Sequence, residues 1–410
     1  GWGRARMKRL LVLIGVLAAG RAGGAALPGF GVRLVGTAAA FASSVAVDSR
    51  GVVYYTTQKG DLFRLGDDGQ SLRVAHVNTV AVGNSGLLGM ALRDDRTAIV
   101  HYTTPMQIAD IIASIDLETG VETVIHVFNA DIDMPSRGSS PEHHGGNPTV
   151  AADGSIFVGI GDYGGFLVAA LPDWNGGKVW RIFPDGSVQQ FARGFRNPFD
   201  VAWDAANQRL IVPDNGDDVD DEINVVHLGD DCGWPYTMGD GPVIEGTTRP
   251  VYVFPAIVAP TGFTALSGRN PILRHGYLLG TFVSKAIYYI ADVDRPDPIP
   301  LIKGDTSFVI DVTEGPNGEI YFCTGNSIYE LKVPLRGDCN GDGRVDVADL
   351  NALAQELADG GGEAFTSAQN GAFAASWGCD VNGDGLIDKA DVAALIAIVK
   401  PRVRAVRSGH

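Results

Sequence analysis

A chain of 410 residues, 45% hydrophobic and 20% charged, can bury a large core and still carry a small second domain, which excludes general disorder. Its 48 acidic residues outnumber 32 basic ones for a formal net charge of −16, so nucleic acids and anionic membrane surfaces are excluded as partners. Residues 1–26 read as a secretory signal peptide: Met7-Lys8-Arg9 precedes the apolar run Leu10 to Ala19, and small residues follow through Gly23 to Ala26. Residues 1–6 precede the first Met and are set aside. The apolar run is shorter than the roughly 20 residues of a membrane-spanning helix and is broken at Arg21, so export without a membrane span is expected, with the mature chain starting near Leu27. Export makes disulfides permissible for the four cysteines.

From Val45 to about Glu330 one pattern recurs: a short apolar strand, a turn rich in Asp, Asn and Gly, then a second strand of branched and aromatic residues. It starts at Val45, Met90, Pro148, Val201, Gly262 and Asp311, and a third strand often follows, as in Leu62-Phe-Arg-Leu65 and Ile287-Tyr-Tyr-Ile290. A period on the order of 50 residues with almost no helical periodicity predicts a mainly β fold, a six-bladed β-propeller over residues 27–334. Cys232 and Cys323 fall in these strands as separate buried small residues.

Three polar clusters interrupt the blades where propeller loops converge. In Glu142-His143-His144-Gly145-Gly146, followed after one strand by Gly161-Asp162-Tyr163-Gly164-Gly165, His143 has the chemistry of a general base. Gly194-Phe195-Arg196-Asn197-Pro198 places a permanent cation beside an amide on a turn. Asp214 to Asn224 packs carboxylates densely enough to favour a bound cation, with calcium the natural candidate.

In their order, His143-x-Gly-Gly, Gly177-Lys-Val-Trp-Arg-Ile182, Arg196-Asn-Pro198, Asp221-Glu-Ile-Asn224 and Gly233-Trp-Pro235 resemble the soluble PQQ-dependent glucose/sorbosone dehydrogenases, as do Gly86-Leu-Leu-Gly89 and Pro260-Thr-Gly262. The resemblance implies that His143 removes a proton from a sugar hydroxyl while hydride passes to PQQ, and that Arg196, with Asn197 beside it, steadies charge on the quinone. It further implies a calcium held by the carbonyls of Gly216 and Asp217, with Asp221 as an acidic ligand, and contacts to the cofactor from Asn84 and Lys285. A carbohydrate is the implied substrate. The chain departs from that family in having Asn84 for Gln or Glu, Glu142 for Asp, Asn147 for Arg, and no Arg between Arg295 and Arg336, where relatives clamp the PQQ carboxylates. A non-catalytic propeller that binds glycan or protein is the rival expectation.

After Pro334 come two acidic loops, each followed by an Ala/Leu-rich helical pattern, Val347 to Leu357 and Lys389 to Val399. The first loop sets Asp338, Asn340, Asp342, Asp346 and Asp349 at positions 1, 3, 5, 9 and 12, and Arg344 at position 7 offers its carbonyl. Asp380, Asn382, Asp384, Leu386, Asp388 and Asp391 repeat it position for position, so two calcium ions are expected. Cys339 and Cys379 stand at the mouths of the loops, placed for a disulfide that clamps them together. The pair resembles a type I dockerin, a small α-helical calcium-folded domain over residues 335–400, which implies a cohesin-type partner met through Val347, Ala348, Lys389 and Ala390. A calcium-stabilised cap without a partner is the alternative, and residues 401–410 are expected to form a disordered basic tail.

Overall fold

The computed structural model describes residues 26–27, 29–106, 108–130, 142–165, 169–217, 219–359, 362–363 and 376–407. The expected signal segment, apart from Ala26, lies outside them. Strand β1 (Gly31–Thr37) is followed by a first sheet of β2 (Ala42–Val47), β3 (Val53–Thr57), β4 (Asp61–Leu65) and β5 (Ser71–His76). The second holds β6 (Leu87–Leu92), β7 (Thr97–Thr103), β8 (Ala109–Asp116) and β9 (Glu122–Asn129). The third holds β10 (Thr149–Val150), β11 (Ile156–Ile160), β12 (Lys178–Ile182) and β13 (Val188–Arg193). In the fourth are β14 (Ala202–Asp204), β15 (Arg209–Asp214), β16 (Glu222–Val226) and β17 (Tyr252–Val253). The fifth comprises β18 (Pro260–Ala265), β19 (Tyr277–Thr281), β20 (Ala286–Ile290) and β21 (Ile299–Lys303). The last strands, β22 (Asp311–Glu314), β23 (Ile320–Cys323) and β24 (Ser327–Lys332), form the sixth sheet only with β1, which pairs antiparallel with β24 from Gly31↔Lys332 to Thr37↔Ser327.

The fold is the six-bladed β-propeller that the repeats predict, and β1 closes the ring by removing the edge that β24 would otherwise expose. Burial between neighbouring blades holds it. Ile99 and Ile112 of the second blade pack with Ile156 and Val158 of the third; Val45 and Tyr55 of the first pack with Cys323 and Ile328 of the sixth. Each fully buried aliphatic or aromatic side chain is worth about 1.5–3 kcal/mol. The first strands of the six repeats line a central cavity of about 210 Å³. There the Asp311 carboxylate accepts from Ser44 Oγ at 2.7 Å and Val45 N at 2.8 Å, tying the sixth blade to the first. Asp200 accepts from Phe263 N at 2.7 Å and Asn147 Nδ2 at 3.0 Å, bridging the third to the fifth. Cys232 and Cys323 are buried and free.

The small domain has helices α1 (Val347–Asp359) and α2 (Lys389–Arg407), a short pair of β25 (Gly362–Glu363) with β26 (Leu386–Ile387), and a core that includes Val345, Leu353, Ile387 and Leu395. Cys339 and Cys379 are disulfide-bonded, with Cα atoms 4.8 Å apart. Helix α2 runs on through residues 401–407, and residues 408–410 lie outside the described residues. The domain rests on the propeller through Trp377, 3% exposed, edge-on to Phe30 at 5.3 Å and to Tyr289 at 5.7 Å. Among the described residues no helix is long and apolar enough to cross a membrane.

Candidate active site

Strand direction alternates within each blade, so the connection from one blade to the next and the turn between its second and third strands emerge on the same face. His143 precedes β10, Asp162 follows β11, Arg196 and Asn197 follow β13, and Asn215 to Asp221 join β15 to β16. A long excursion after β16 climbs beside β13, with Cys232 N donating to the Arg193 carbonyl at 2.9 Å and Trp234 N to that of Gly194 at 3.1 Å, and carries Trp234 up to this face.

His143 Nδ1 donates to Asp162 Oδ1 at 2.6 Å, and a carboxylate can only accept, so the proton sits on Nδ1 and Nε2 keeps its lone pair. The other Asp162 oxygen accepts from Trp234 Nε1 at 3.0 Å, and Gly164 N also donates to Oδ1 at 2.8 Å. Asp162 was not assigned a role from sequence. Its signal was the Gly-Asp-Tyr-Gly-Gly turn directly after a strand, which marks a backbone bent to aim one carboxylate. Arg196 lies with its guanidinium 5.9 Å from the Trp234 ring, donates to the Asn215 carbonyl at 3.3 Å, and pairs with Asp217 at 3.3 Å. Asn197 is buried, and its Oδ1 accepts from Gly145 N at 3.3 Å, so it braces the His143 turn from behind.

The buried Asp214 carboxyl accepts from Arg196 N at 2.8 Å and Asn197 N at 2.7 Å, and burial, with Glu222 beside it, pushes it well above the usual carboxylate range. Burial pushes Glu222 up to about 7. Asp221 braces the loop: its oxygens accept from Gly216 N at 2.9 Å and from Val258 N and Ala259 N at 2.7 Å. Gly216 and Asp217 occupy a turn so tight that a Cβ on Gly216 would strike the Val219 carbonyl, and the Asp217 side chain points to solvent. Backbone carbonyls are the donors such a turn can offer a hard cation. Asn84 and Lys285 are both exposed, on the connection before β6 and the turn before β20, on the same face as His143. An imidazole with a fixed tautomer, a guanidinium on an indole and a lysine on the rim form a donor set that suits a planar, polycarboxylate quinone at this face.

Both acidic loops have one hydrogen-bond pattern. Asp338 accepts from Gly343 N at 2.8 Å and Asp380 from Gly385 N at 3.0 Å; Asp349 accepts from Asn340 N at 3.2 Å and Asp346 N at 2.7 Å, as Asp391 does from Asn382 N at 2.9 Å and Asp388 N at 2.8 Å. Asn340 and Asp342, like Asn382 and Asp384, accept from amides two residues on. Gly343 and Gly385 take φ of 83° and 89°, the turn that wraps the loop. Burial raises the Asp338 carboxyl, with Asp349 adding to the effect, as expected where one cation would neutralise several acids. These side chains fit calcium by number and type, although among the described residues no His, Cys, Asp and Glu group is already drawn round one point, since the loop amides hold the carboxylates.

The family profile for glucose/sorbosone dehydrogenases matches residues 41–331, and that for dockerin type I domains matches 336–400. Relatives include a quinoprotein glucose dehydrogenase B of Acinetobacter calcoaceticus, 26% identical over 44% of this chain and 47% of the relative. The aldose sugar dehydrogenase YliI of Escherichia coli K12 is 25% identical over 47% of this chain and 60% of its own length. The chain thus spans about half the length of the curated relatives it matches. Its fold is similar to that of a PQQ-bound aldose sugar dehydrogenase from Streptomyces coelicolor, with a TM-score of 0.63 at 22% identity over 75% of this chain and 100% of that one. A match that runs from the threshold of β2 into β24, through every blade, makes this chain a member of the glucose/sorbosone dehydrogenase family, with a dockerin type I domain following the propeller.

Proposed function

We propose that this protein is an exported, calcium-dependent sugar dehydrogenase that uses PQQ and oxidises an aldose or a related carbohydrate. The His143–Asp162 pair carries this reading. With Nδ1–H committed to Asp162, Nε2 receives the proton of the sugar hydroxyl, and Asp162 steadies the imidazolium that results, a contribution of about 10²–10⁴ in rate. When bound, PQQ supplies the quinone that accepts the hydride. Arg196 places a fixed positive charge at the site, oriented by Trp234 and by the Asp214 cap on its backbone. Lys285 and Asn84 on the rim, with Asn197 under the His143 turn, are the residues that would hold the cofactor's polar edge, and the Gly216 and Asp217 carbonyls would hold its calcium. Export rests on the signal-like residues 1–26 and agrees with the Cys339–Cys379 disulfide. Val347, Ala348, Lys389 and Ala390 are exposed beside the two calcium loops, which supports docking to a cohesin-type domain.

Dye reduction by the purified chain, preincubated with PQQ and calcium and offered a panel of aldoses, tests the reading. Sugar-dependent turnover that His143→Ala lowers by at least about 10²-fold is expected. No turnover with any sugar would move the assignment to a propeller that binds glycan or protein without chemistry.

A further inference from the structure

His143 has a φ of 57°, a left-handed conformation that disfavours a residue with a side chain, so the surrounding structure must hold it there. The Tyr163 amide caps its carbonyl at 3.2 Å, and the residues that follow it are fastened from behind. There lie three ionisable side chains with no solvent exposure: His101 on β7, Asp110 on β8, and His144 next to His143. His101 pairs with Ile112 and Asp110 with Thr103 across the ladder, so the two share one face within diagonal reach. His101 Nδ1 donates to the Gly146 carbonyl at 2.8 Å, and His144 Nδ1 donates to the two Asp110 oxygens at 3.1 and 3.2 Å. His101 Nε2 faces Asp110 Oδ1 at 3.4 Å. Burial alone would push the Asp110 carboxyl up, yet the charge and N–H groups of His144 and His101 hold it well below the ordinary carboxylate range. The His144 ring also stands edge-on to Tyr163 at 5.1 Å, beside Asp162.

We propose that Asp110, acting through His144 and His101, is a positioning residue for the base: it pins the His143 turn at residues 144 and 146, so that Nδ1 stays on Asp162 and Nε2 faces the substrate. This rests on the reading of His143 as the proton acceptor. Asp110 is buried behind the turn and touches no reacting atom, and its effect passes through the His144 ring that donates to it and the His101 ring that packs 3.4 Å from it, as an outer residue orients a ligating or catalytic imidazole.

Imidazole ¹⁵N NMR of the full chain without cofactor tests the geometry directly. Wild-type His101, His143 and His144 should each show an exchange-protected proton on Nδ1, and Asp110→Asn should lose the protection of both His144 and His143. In turnover, Asp110→Asn should lower kcat about 10- to 100-fold with KM within about twofold. A wild-type His144 protonated on Nε2 alone would overturn the proposal, as would a folded Asp110→Asn with unchanged kcat and an unchanged His143 Nδ1 proton signal. The NMR needs neither PQQ nor sugar, so it separates the two readings. Intact NMR behaviour without turnover sinks the dehydrogenase assignment and leaves the positioning network standing.

Discussion

A histidine on a surface loop acts as a base only if something fixes which nitrogen is free, and here Asp162 does so while Trp234 fixes Asp162. Asp162→Asn keeps the shape but lets the amide present a donor to His143, so kcat/KM should fall by about 10²–10³ with an unchanged circular-dichroism spectrum. Asp221 makes a contrasting case: as a brace with three backbone amides on its carboxylate, its loss strands buried donors whether or not metal is present. Asp221→Ala should therefore destabilise the propeller by about 2–4 kcal/mol, and denaturant melts should show the same loss with calcium and with chelator. A loss seen in calcium alone would make Asp221 a ligand.

At the level of strands, the central channel gathers Asp200 and Asp311, and among the described residues no Lys, Arg or His lines it. Burial pushes Asp311 up to about 7, and burial together with Asp311 raises Asp200 well above the usual range. Asn147, which stands where relatives commonly carry Arg, gives Asp200 a hydrogen bond but no charge. Carboxyls that titrate higher when folded than when unfolded contribute stability that is fully present below about pH 4 and lost as pH rises through about 7. The melting temperature of the propeller should fall between pH 5 and pH 8, and Asp311→Asn should flatten that slope; a slope unchanged in the variant would place its origin elsewhere. The repeats that build these strands were legible because apolar runs alternate with Asp, Asn and Gly turns at blade spacing. Closure by β1 was not, because Gly31–Thr37 finds its partner almost 300 residues away and carries no signal of its own. Motif order pointed to His143 and Arg196, whereas Asp110 and His101 stayed hidden because only strand register brings them beneath the turn. The bracing contacts of Asp221 were hidden for a related reason: an acidic run in sequence does not say which carboxylates turn inward.

Across the whole molecule, the small domain is seated on the propeller, with Trp377 against Phe30 and Tyr289 and with Arg274 lying against Gly383 of the second loop. Trp377 sits two residues before Cys379, so the seat, the disulfide and the second acidic loop form one continuous stretch. The loop carboxylates repel one another without a cation, and metal binding is coupled to folding in such modules. Chelator should unfold residues 335–400 at a lower temperature than the propeller, seen as a separate early transition with a change in Trp377 emission; a melt unaffected by chelator would contradict this. The most direct measurement is a titration of the full chain with PQQ in calcium, followed by absorbance and calorimetry. Saturable binding of one PQQ per propeller is expected, weakened at least about tenfold in Arg196→Ala, where a charge-assisted contact worth roughly 1.5–3 kcal/mol is lost. An absence of binding in the wild-type chain would contradict it, and the propeller would then hold its histidine and arginine for something other than this chemistry.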